Sequence, residues 1–405
     1  MDSIKKIYKI GYGPSSSHSM GVQKAAQTVF GLYPEMDKIE VILYGALAAT
    51  GKGHMTDKVI EKVFQKIPHK IIWKPEETLP AHPNGMKFRI YKEGRLLEEE
   101  VFYSIGGGEI SRTGKPERED LYPHKKMREI LRFCSEKGLT LWEYVFLFEN
   151  RKEVEEHLRK VWSVMQDAIR RGLQAEGVLP GGLGVRRKAY EYHQKAKLAG
   201  GPFKDRLLLS SYALAVAEEN AAGGFIVTAP TCGSCGVVPA VLYHMKESGI
   251  ATDDSIIKAL ATAGLVGNLV KFNASISGAE VGCQGEIGTA CAMAAAAATQ
   301  LLGGTPVQIE YAAEMALEHH LGLTCDPVKG LVQIPCIERN VFAANRAIDC
   351  ANFALFSDGR HLVSFDTVVE VMKETGHALP SLYKETAAAG LAKEYDKQDS
   401  YGEED

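Results

Sequence analysis

The first 125 residues alternate between segments with helix-like and strand-like patterns of apolar positions. Apolar residues recur at helical spacing in 20–34, whereas 38–50 and 69–75 begin as short apolar runs typical of strands. The segment 86–107 alternates apolar and polar residues around a Lys-Glu-Gly turn, which predicts a hairpin that ends at a glycine run. The pattern therefore predicts an α/β region followed by a polar loop, with a boundary between residues 115 and 140.

Beyond that boundary the pattern is helical with almost no alternation. Segments 127–138, 139–150 and 152–177 have helical period, and the rest of the chain is rich in alanine and glycine, which lets helices pack closely. The predicted fold class is α+β. We expect an α/β domain at 1–125, a helical linker at 126–145 and a larger all-helical domain at 146–405.

Composition narrows the functional classes. The chain has 405 residues and a net charge of −4, which favours neither nucleic acid nor an anionic membrane as partner. Its N-terminus has no apolar core of signal-peptide length, and the alanine-rich run near residue 290 is too short and too polar to span a bilayer. Eight cysteines fall far below the density of a disulfide scaffold. We expect a soluble cytoplasmic protein with reduced or metal-bound thiols.

Three cysteines lie in the least ordinary strings of the chain. Cys283, Cys325 and Cys336 each have a glycine or proline within two residues, which places them at turns or helix ends. Three thiolates without a fourth favour an iron–sulfur cluster that leaves one iron open to substrate. Cys232 and Cys235 form a C-x-x-C pair, but it lacks the βαβ context of a redox motif and the second pair of a zinc site.

Two strings of the N-terminal domain have the chemistry of a binding site. GPSSSHS puts Ser15, Ser16, Ser17 and His18 before a helical pattern, where backbone N–H groups and hydroxyls can bind a carboxylate or phosphate. GKGHMTD puts His54 on a glycine-rich turn after a strand, a suitable position for a general base. The glycine spacing there does not match a phosphate-binding loop, so we expect no nucleotide.

Further polar residues surround these strings in sequence, and they are candidates for binding a small polar substrate. The short side chains can orient such a substrate, and the cations can favour thiolates at the neighbouring cysteines. These candidates are His82, Asn84, Lys271, Asn273, Ser275, Ser277, Glu280 and Arg339.

In this order, the strings GPSSSH, GKGHMTD, HPNGM, SIGGG, EENAAGG, NASISGAEVGCQGE, EHHLGLTCDPVKGLVQIPCIERN and YKET resemble the iron–sulfur L-serine dehydratases over nearly the whole chain. The resemblance implies an N-terminal α/β domain joined to a helical cluster-binding domain. It implies a [4Fe–4S] cluster on Cys283, Cys325 and Cys336, without pyridoxal phosphate. It further implies that serine's hydroxyl binds the open iron and its carboxylate the region of Ser15–Ser17 and His18.

The resemblance also implies the reaction, the deamination of L-serine to pyruvate and ammonia. His54 is the first candidate for the base that takes the Cα proton, and His18 the second. A homodimer is expected for the family. Members often end in a cysteine that can reach the open iron, whereas this chain ends in Glu-Glu-Asp, so the occupant of that iron stays open.

Two alternatives remain at this point. The same chemistry on L-threonine, L-cysteine or another small β-substituted amino acid fits the residues equally well, because a pocket distinguishes one methyl group by only about 1–3 kcal/mol. A protein of another class, a non-catalytic metal-containing anion sensor, would hold metal without turnover.

Overall fold

The computed structural model describes residues 1–115 and 119–401, and the side chains of the last helix through residue 395. The strands are β1 Ile10–Tyr12, β2 Lys38–Tyr44, β3 His69–Lys74, β4 Gly85–Lys92, β5 Arg95–Ser104, β6 Ile110–Ser111 and β7 Phe225–Val227. The α-helices are α1 Val22–Leu32, α2 Gly45–Ala49, α3 Thr56–Val63, α4 Met127–Lys137, α5 Leu141–Phe148, α6 Arg151–Gly172, α7 Ala189–Leu198, α8 Gly201–Ala221, α9 Val237–Glu247, α10 Asp253–Asn273, α11 Gly278–Val281, α12 Thr289–Leu301, α13 Pro306–Glu318, α14 Cys336–Leu355, α15 Phe365–Ala378 and α16 Gly390–Tyr401. Short 3-10 or π turns cover Ile4–Lys6, Ser16–Gly21, Gln284–Gly288, Val328–Gly330 and Ser381–Tyr383.

A five-stranded sheet forms the α/β part, in the order β3-β2-β4-β5-β6. β2 and β3 are parallel and the other neighbours are antiparallel. Alternate residues of β2 and β4 point to one face, where they pack with apolar residues of α1 and α3. The hairpin between β4 and β5 turns at Glu93 and Gly94, both with positive φ, as a two-residue primed turn requires.

The helical part is built around α10 and α12, which lie in contact with each other. Alanines 294–298 of α12 are fully buried, and their small side chains allow α9, α10, α13 and α14 to pack around this helix. α10 is long and apolar enough to cross a membrane, but 78% of its apolar window is buried inside the protein. Its hydrophobicity is therefore that of a core helix. The predicted α+β fold class is confirmed.

The first dozen residues pack with the helices, although the sequence pattern assigned them to the α/β domain. Met1, Ile4 and Tyr8 are buried in the helical core, and β1 pairs antiparallel with β7. Glu149 holds this segment because its carboxylate accepts hydrogen bonds from the Ser3 hydroxyl and the Ile4 amide. The chain thus begins in the helical layer, enters the sheet domain after residue 12 and returns near residue 122.

The predicted linker at 126–145 lies within the same core. α4 and α5 contribute Met127, Ile130, Leu141 and Tyr144 to the helical cluster. The hydrophobic cluster of the helices therefore includes residues of 1–8 and of 122–145. The domain bounds 1–125, 126–145 and 146–405 stay a prediction.

Candidate functional site

The Gly-Pro-Ser-Ser-Ser-His loop lies at the junction between sheet and helices. Ser15 begins the Ser16–Gly21 turn, and its hydroxyl accepts from the His18 amide at 3.1 Å. The EENAAGG string at the end of α8 fixes this loop, because Asn220 donates to the Pro14 carbonyl at 2.8 Å and Gly13 donates to Gly224 at 3.0 Å. The two strings are far apart in sequence, but they contact each other in the structure, and EENAAGG holds the Gly-Pro-Ser-Ser-Ser-His loop in place.

His18 and His54 lie against each other, with ring centroids 4.3 Å apart. The Nε2 of His18 lies 3.0 Å from the carbonyl oxygen of Ala46, which can only accept, so the neutral ring has its proton on Nε2. Its Nδ1 then faces Ser15 Oγ at 3.3 Å and Glu385 Oε1 at 3.5 Å. His18 is thus engaged on both ring nitrogens.

His54 is the freer of the two histidines. Its backbone is fixed by a hydrogen bond from Ser19 Oγ to its carbonyl, at 2.8 Å, while its buried Nδ1 has no hydrogen-bond partner among the described residues. Burial lowers the pKa of His54 well below its ordinary value, with His18 adding to the effect. Burial likewise lowers the pKa of His18 to about 4. Both rings are therefore neutral at pH 7.

The three predicted cysteine ligands come from three separate segments and converge. Gly282 adopts a φ of 75° after α11, which turns the chain into Cys283. Cys325 is clamped by a short bridge to the loop 383–385, with its amide donating to Tyr383 at 2.8 Å and its carbonyl accepting from Glu385 at 2.7 Å. Cys336 is the first residue of α14.

Among the three cysteines, the surroundings of Cys283 favour its thiolate form even without a bound metal. A hydrogen bond from the Cys325 thiol and the neighbouring Arg339 guanidinium lower the pKa of Cys283 to about 6. The same hydrogen bond, together with burial, raises the pKa of Cys325, and burial raises the pKa of Cys336. Two of the three thiols therefore need a cationic centre to lose their protons at neutral pH.

A cavity of about 20 Å³ separates the two sides of the site. Its lining comprises Pro14, Ser15, His54, Gly233, Glu286, Cys325, Pro327, Val332, Cys336 and Glu385. This space admits little more than one water molecule, so a larger ligand requires its walls to separate. The walls come from different layers, since His54 belongs to the sheet domain and the cysteines to the helices.

Two carboxyl groups of this lining were not among the predicted site residues. Burial and the Cys283 thiolate raise the pKa of Glu286 well above its usual range. Burial raises the pKa of Glu385 to about 7. Glu286 lies three residues after Cys283, and Glu385 lies in the Tyr-Lys-Glu-Thr string, so position within these strings was the only sequence signal for either.

A second polar layer adjoins the cavity. His82 Nε2 lies 3.3 Å from Glu280 Oε1, without hydrogen-bond alignment, and Ser275 Oγ donates to Glu280. Burial would raise the pKa of Glu280, but His82 and Ser275 hold it below its usual value. Asn84 and Ser277 are buried, and their side-chain polar atoms have no hydrogen-bond partners among the described residues. Unpaired buried polar groups are costly, so this layer has the donors and acceptors that a polar ligand would satisfy.

The remaining predicted substrate-binding residues have structural partners. Lys271 donates to Glu109 at 2.7 Å, and Asn273 caps α10 by donating to Leu269 and Lys125 carbonyls, both at 2.9 Å. Arg339 donates to the Thr324 carbonyl at 2.8 Å and lies beside Cys283, so it acts on the thiols. The roles of these three residues, and of the buried Ser16 and Ser17, stay predictions.

The C-x-x-C pair is buried in the helical core. Cys232 contacts the Met20 sulfur at 3.9 Å, and burial raises the pKa values of both Cys232 and Cys235, which keeps them as neutral thiols. Between them Gly233 lines the cavity, and its carbonyl accepts from Asn340 at 2.8 Å. The glycine-rich turn therefore places main-chain atoms of Gly233 at the cavity.

The donor set fits an iron–sulfur cluster better than a hard metal ion. The Cys325 and Cys336 thiols line the cavity, and Cys283 lies against Cys325 through a hydrogen bond. Thiols are soft ligands, and Arg339 offsets negative charge on Cys283. The absence of a side chain at Gly278 lets the backbone there pack closely against Cys325 and Glu286. A Cβ at this position would lie 3.3 Å from Cys325 Sγ and 2.9 Å from the Glu286 side chain.

Comparisons with known proteins point to one family. A family model described as serine dehydratase alpha chain matches residues 54–392, and one described as serine dehydratase beta chain matches residues 3–63. The L-serine dehydratase of Streptomyces coelicolor is 41% identical over 96% of this chain and 98% of its own length. The corresponding values are 40%, 97% and 99% for the Haemophilus influenzae L-serine dehydratase, and 37%, 96% and 98% for that of Helicobacter pylori.

Proposed function

The chain belongs to the serine dehydratase family, and on that premise we propose that it is an L-serine dehydratase whose Cys283, Cys325 and Cys336 hold a [4Fe–4S] cluster with one iron open to substrate. It converts L-serine to pyruvate and ammonia. The observation that carries the proposal is a cavity lined by the Cys325 and Cys336 thiols and by a neutral His54, with Cys283 hydrogen-bonded to Cys325 behind it. The Nδ1 of His54 has no hydrogen-bond partner among the described residues. The relatives support the activity, since they match over nearly their whole lengths.

The cluster, when bound, supplies a Lewis-acidic iron that favours departure of the β-hydroxyl as water. His54 takes the proton from Cα, because its neutral ring lines the cavity and its Nδ1 has no partner among the described residues. Loss of the Cα proton and the hydroxyl gives aminoacrylate, which tautomerises to an imine. Water then hydrolyses the imine to pyruvate and ammonia.

The N-terminal loop provides the substrate carboxylate site. Ser15 lines the cavity, and the helical Ser16–Gly21 turn that follows it continues into α1, so the positive N-terminal end of this helical segment lies beside the cavity. Asn84 and Ser277 offer unsatisfied polar atoms for the amino group. His18, engaged on both ring nitrogens, orients Ser15 and Glu385 and is the weaker candidate for the base.

The direct test uses protein purified without oxygen. We expect about four irons per chain, as the proposed cluster requires, and pyruvate from L-serine. Cys283→Ala should lose iron and activity together, whereas Cys134→Ala, a buried thiol of the helical core, should keep both. His54→Gln should keep the iron and lower kcat by about 10²–10⁴-fold, the usual contribution of a general base. Full activity in iron-free protein would overturn the proposal.

Two finer points remain proposals. The substrate is L-serine rather than L-threonine or L-cysteine, which a panel of relative turnover rates tests. The protein is cytoplasmic, which agrees with the burial of α10, the helix that is long and apolar enough to cross a membrane, and fractionation of cells tests it.

A further inference from the structure

Helix α14 (Cys336–Leu355) carries an exposed aromatic stripe opposite its core-facing side. Ala343, Ala347 and Ala351 of the inner face are fully buried, whereas Phe342 and Phe353 on the outer face are 73% and 61% exposed. Arg346 and Asp349 lie between the two phenylalanines and are also exposed. Exposed apolar side chains mark an interaction surface where they form a patch, so the surroundings of these two phenylalanines decide whether this face is one.

The order of the four side chains is self-complementary. Positions 342, 346, 349 and 353 lie on one helical face and read aromatic, cationic, anionic, aromatic. If a second copy of the helix runs antiparallel about a two-fold axis between positions 346 and 349, Phe342 meets Phe353 of the other copy. Arg346 then meets Asp349 of the other copy, twice. A two-fold symmetric interface requires this kind of match of a surface with itself.

The two charges are available for such a contact. Arg346 donates one N–H to the His319 carbonyl at 2.7 Å, which uses one of its five donors. Asp349 lies 4.0 Å from Arg206, the limit of an ion pair. Among the described residues Arg346 and Asp349 form no ion pair with each other, so each keeps capacity for the other copy.

The apolar surface around the stripe is large enough for a protein–protein interface. Phe356, which follows α14, is 93% exposed, and Leu362 is fully exposed beside Phe353 at a cavity of about 650 Å³ between α13 and α14. Three mostly exposed phenylalanines from each copy would bury on the order of 900 Å². With Leu362 and the charged pairs, the contact reaches the ~1,000 Å² expected of a biological interface.

We propose that the outer face of α14 is the surface on which two copies of this chain associate, with the helices antiparallel and Arg346 paired to Asp349 across the axis. This inference does not depend on the proposed activity. A cation or an apolar ligand in the neighbouring cavity would not require the palindromic order of side chains, whereas a second copy does.

The test measures the mass of the full-length protein in solution by light scattering. Wild type should have twice the chain mass. Arg346→Asp alone and Asp349→Arg alone should each be monomeric, because each places like charges across the axis. A mixture of these two variants should regain the dimer, since both intermolecular pairs again have opposite charges. Phe353→Asp should be monomeric, and Leu147→Asp, an exposed leucine on α5, should stay dimeric.

Far-UV circular dichroism verifies that each variant is folded. A monomeric wild type, or single variants that stay dimeric, would overturn the proposal. A mixture that stays monomeric beside a dimeric wild type would overturn the antiparallel register. The readout is mass, so the result stands whether or not the enzyme turns over serine.

Discussion

Replacing Gly53 by alanine should slow catalysis by moving His54 rather than by removing it. Gly53 precedes His54, and a Cβ at this position would lie 2.5 Å from the Gly330 carbonyl oxygen and 3.0 Å from that of Lys329. Ordinary contact begins near 3.4 Å, so one backbone must move by roughly 0.9 Å. Gly330 belongs to the turn that follows Cys325 and Pro327, so the clash pushes the two walls of the site apart.

The expected magnitude follows from this displacement. A misplacement of about 1 Å between a catalytic group and its substrate can cost about 10²-fold in rate, and overpacking in a closed contact costs about 1–3 kcal/mol of stability. Gly53→Ala should therefore lower kcat by one to two orders of magnitude and lower the thermal midpoint by several degrees. Its iron content should equal that of wild type, because the cysteine segments themselves are unchanged.

The matched control is Gly31→Ala in helix α1, where a Cβ would meet no atom within 4 Å. That variant should keep wild-type kcat and gain a few tenths to ~1 kcal/mol of stability, because alanine is the better helix former. Steady-state pyruvate formation, iron analysis and thermal unfolding measure the three quantities. A Gly53→Ala enzyme with kcat within twofold of wild type and an unchanged thermal midpoint would refute the close approach of the two walls.

Three further changes test other parts of the structure. Cys235→Ala should keep the iron content and lower stability by about 1 kcal/mol, because its buried thiol only fills space; loss of iron on elemental analysis would contradict this. The folded-state pKa of His18 is about 4, below the unfolded value of 6.5, so the unfolded state binds more protons and stability is lost as pH falls from 6.5 to 4. The thermal midpoint of His18→Gln should therefore fall less steeply over that range, and an equal slope would contradict the assignment. Glu149→Ala should cost about 2–4 kcal/mol in urea unfolding, because it leaves the Ser3 hydroxyl, the Ile4 amide and the Tyr122 hydroxyl without their buried acceptor; a change below 0.5 kcal/mol, the usual size of surface effects, would contradict the anchoring of the N-terminal segment.

Local patterns were sufficient to predict most of the regular structure. The alternation in 86–107 predicted the hairpin of β4 and β5, and the helical period after residue 126 matches α4, α5 and α6. These predictions succeed because hydrophobic period and turn residues act over a few neighbouring positions. β7 escaped notice because three residues are too few for an alternation to be visible.

The association of the first twelve residues with the helices could not be predicted from local pattern. The strand β1 is only Ile10–Tyr12, and its partner β7 lies more than 200 residues away. The buried carboxylate of Glu149 lies 145 residues from Ile4 in sequence, and the apolar contacts of Ile4 and Tyr8 in the helical core are also non-local. Such contacts depend on the closed fold, in which non-local burial decides where a short segment lies.

Prediction of the candidate site from sequence also depended on whether a residue could be recognised without knowing its distant contacts. Residue type was enough to select His54 and the three cysteines, because few side chains serve as bases or as soft metal ligands. Glu385 could not be selected, because an isolated glutamate near the end of a chain is ordinarily exposed. It becomes notable only because Cys325 pairs with its backbone, which buries the carboxyl group beside His18 and raises its pKa to about 7. One short backbone bridge thus joins a predicted thiol to a carboxyl group that the sequence did not single out.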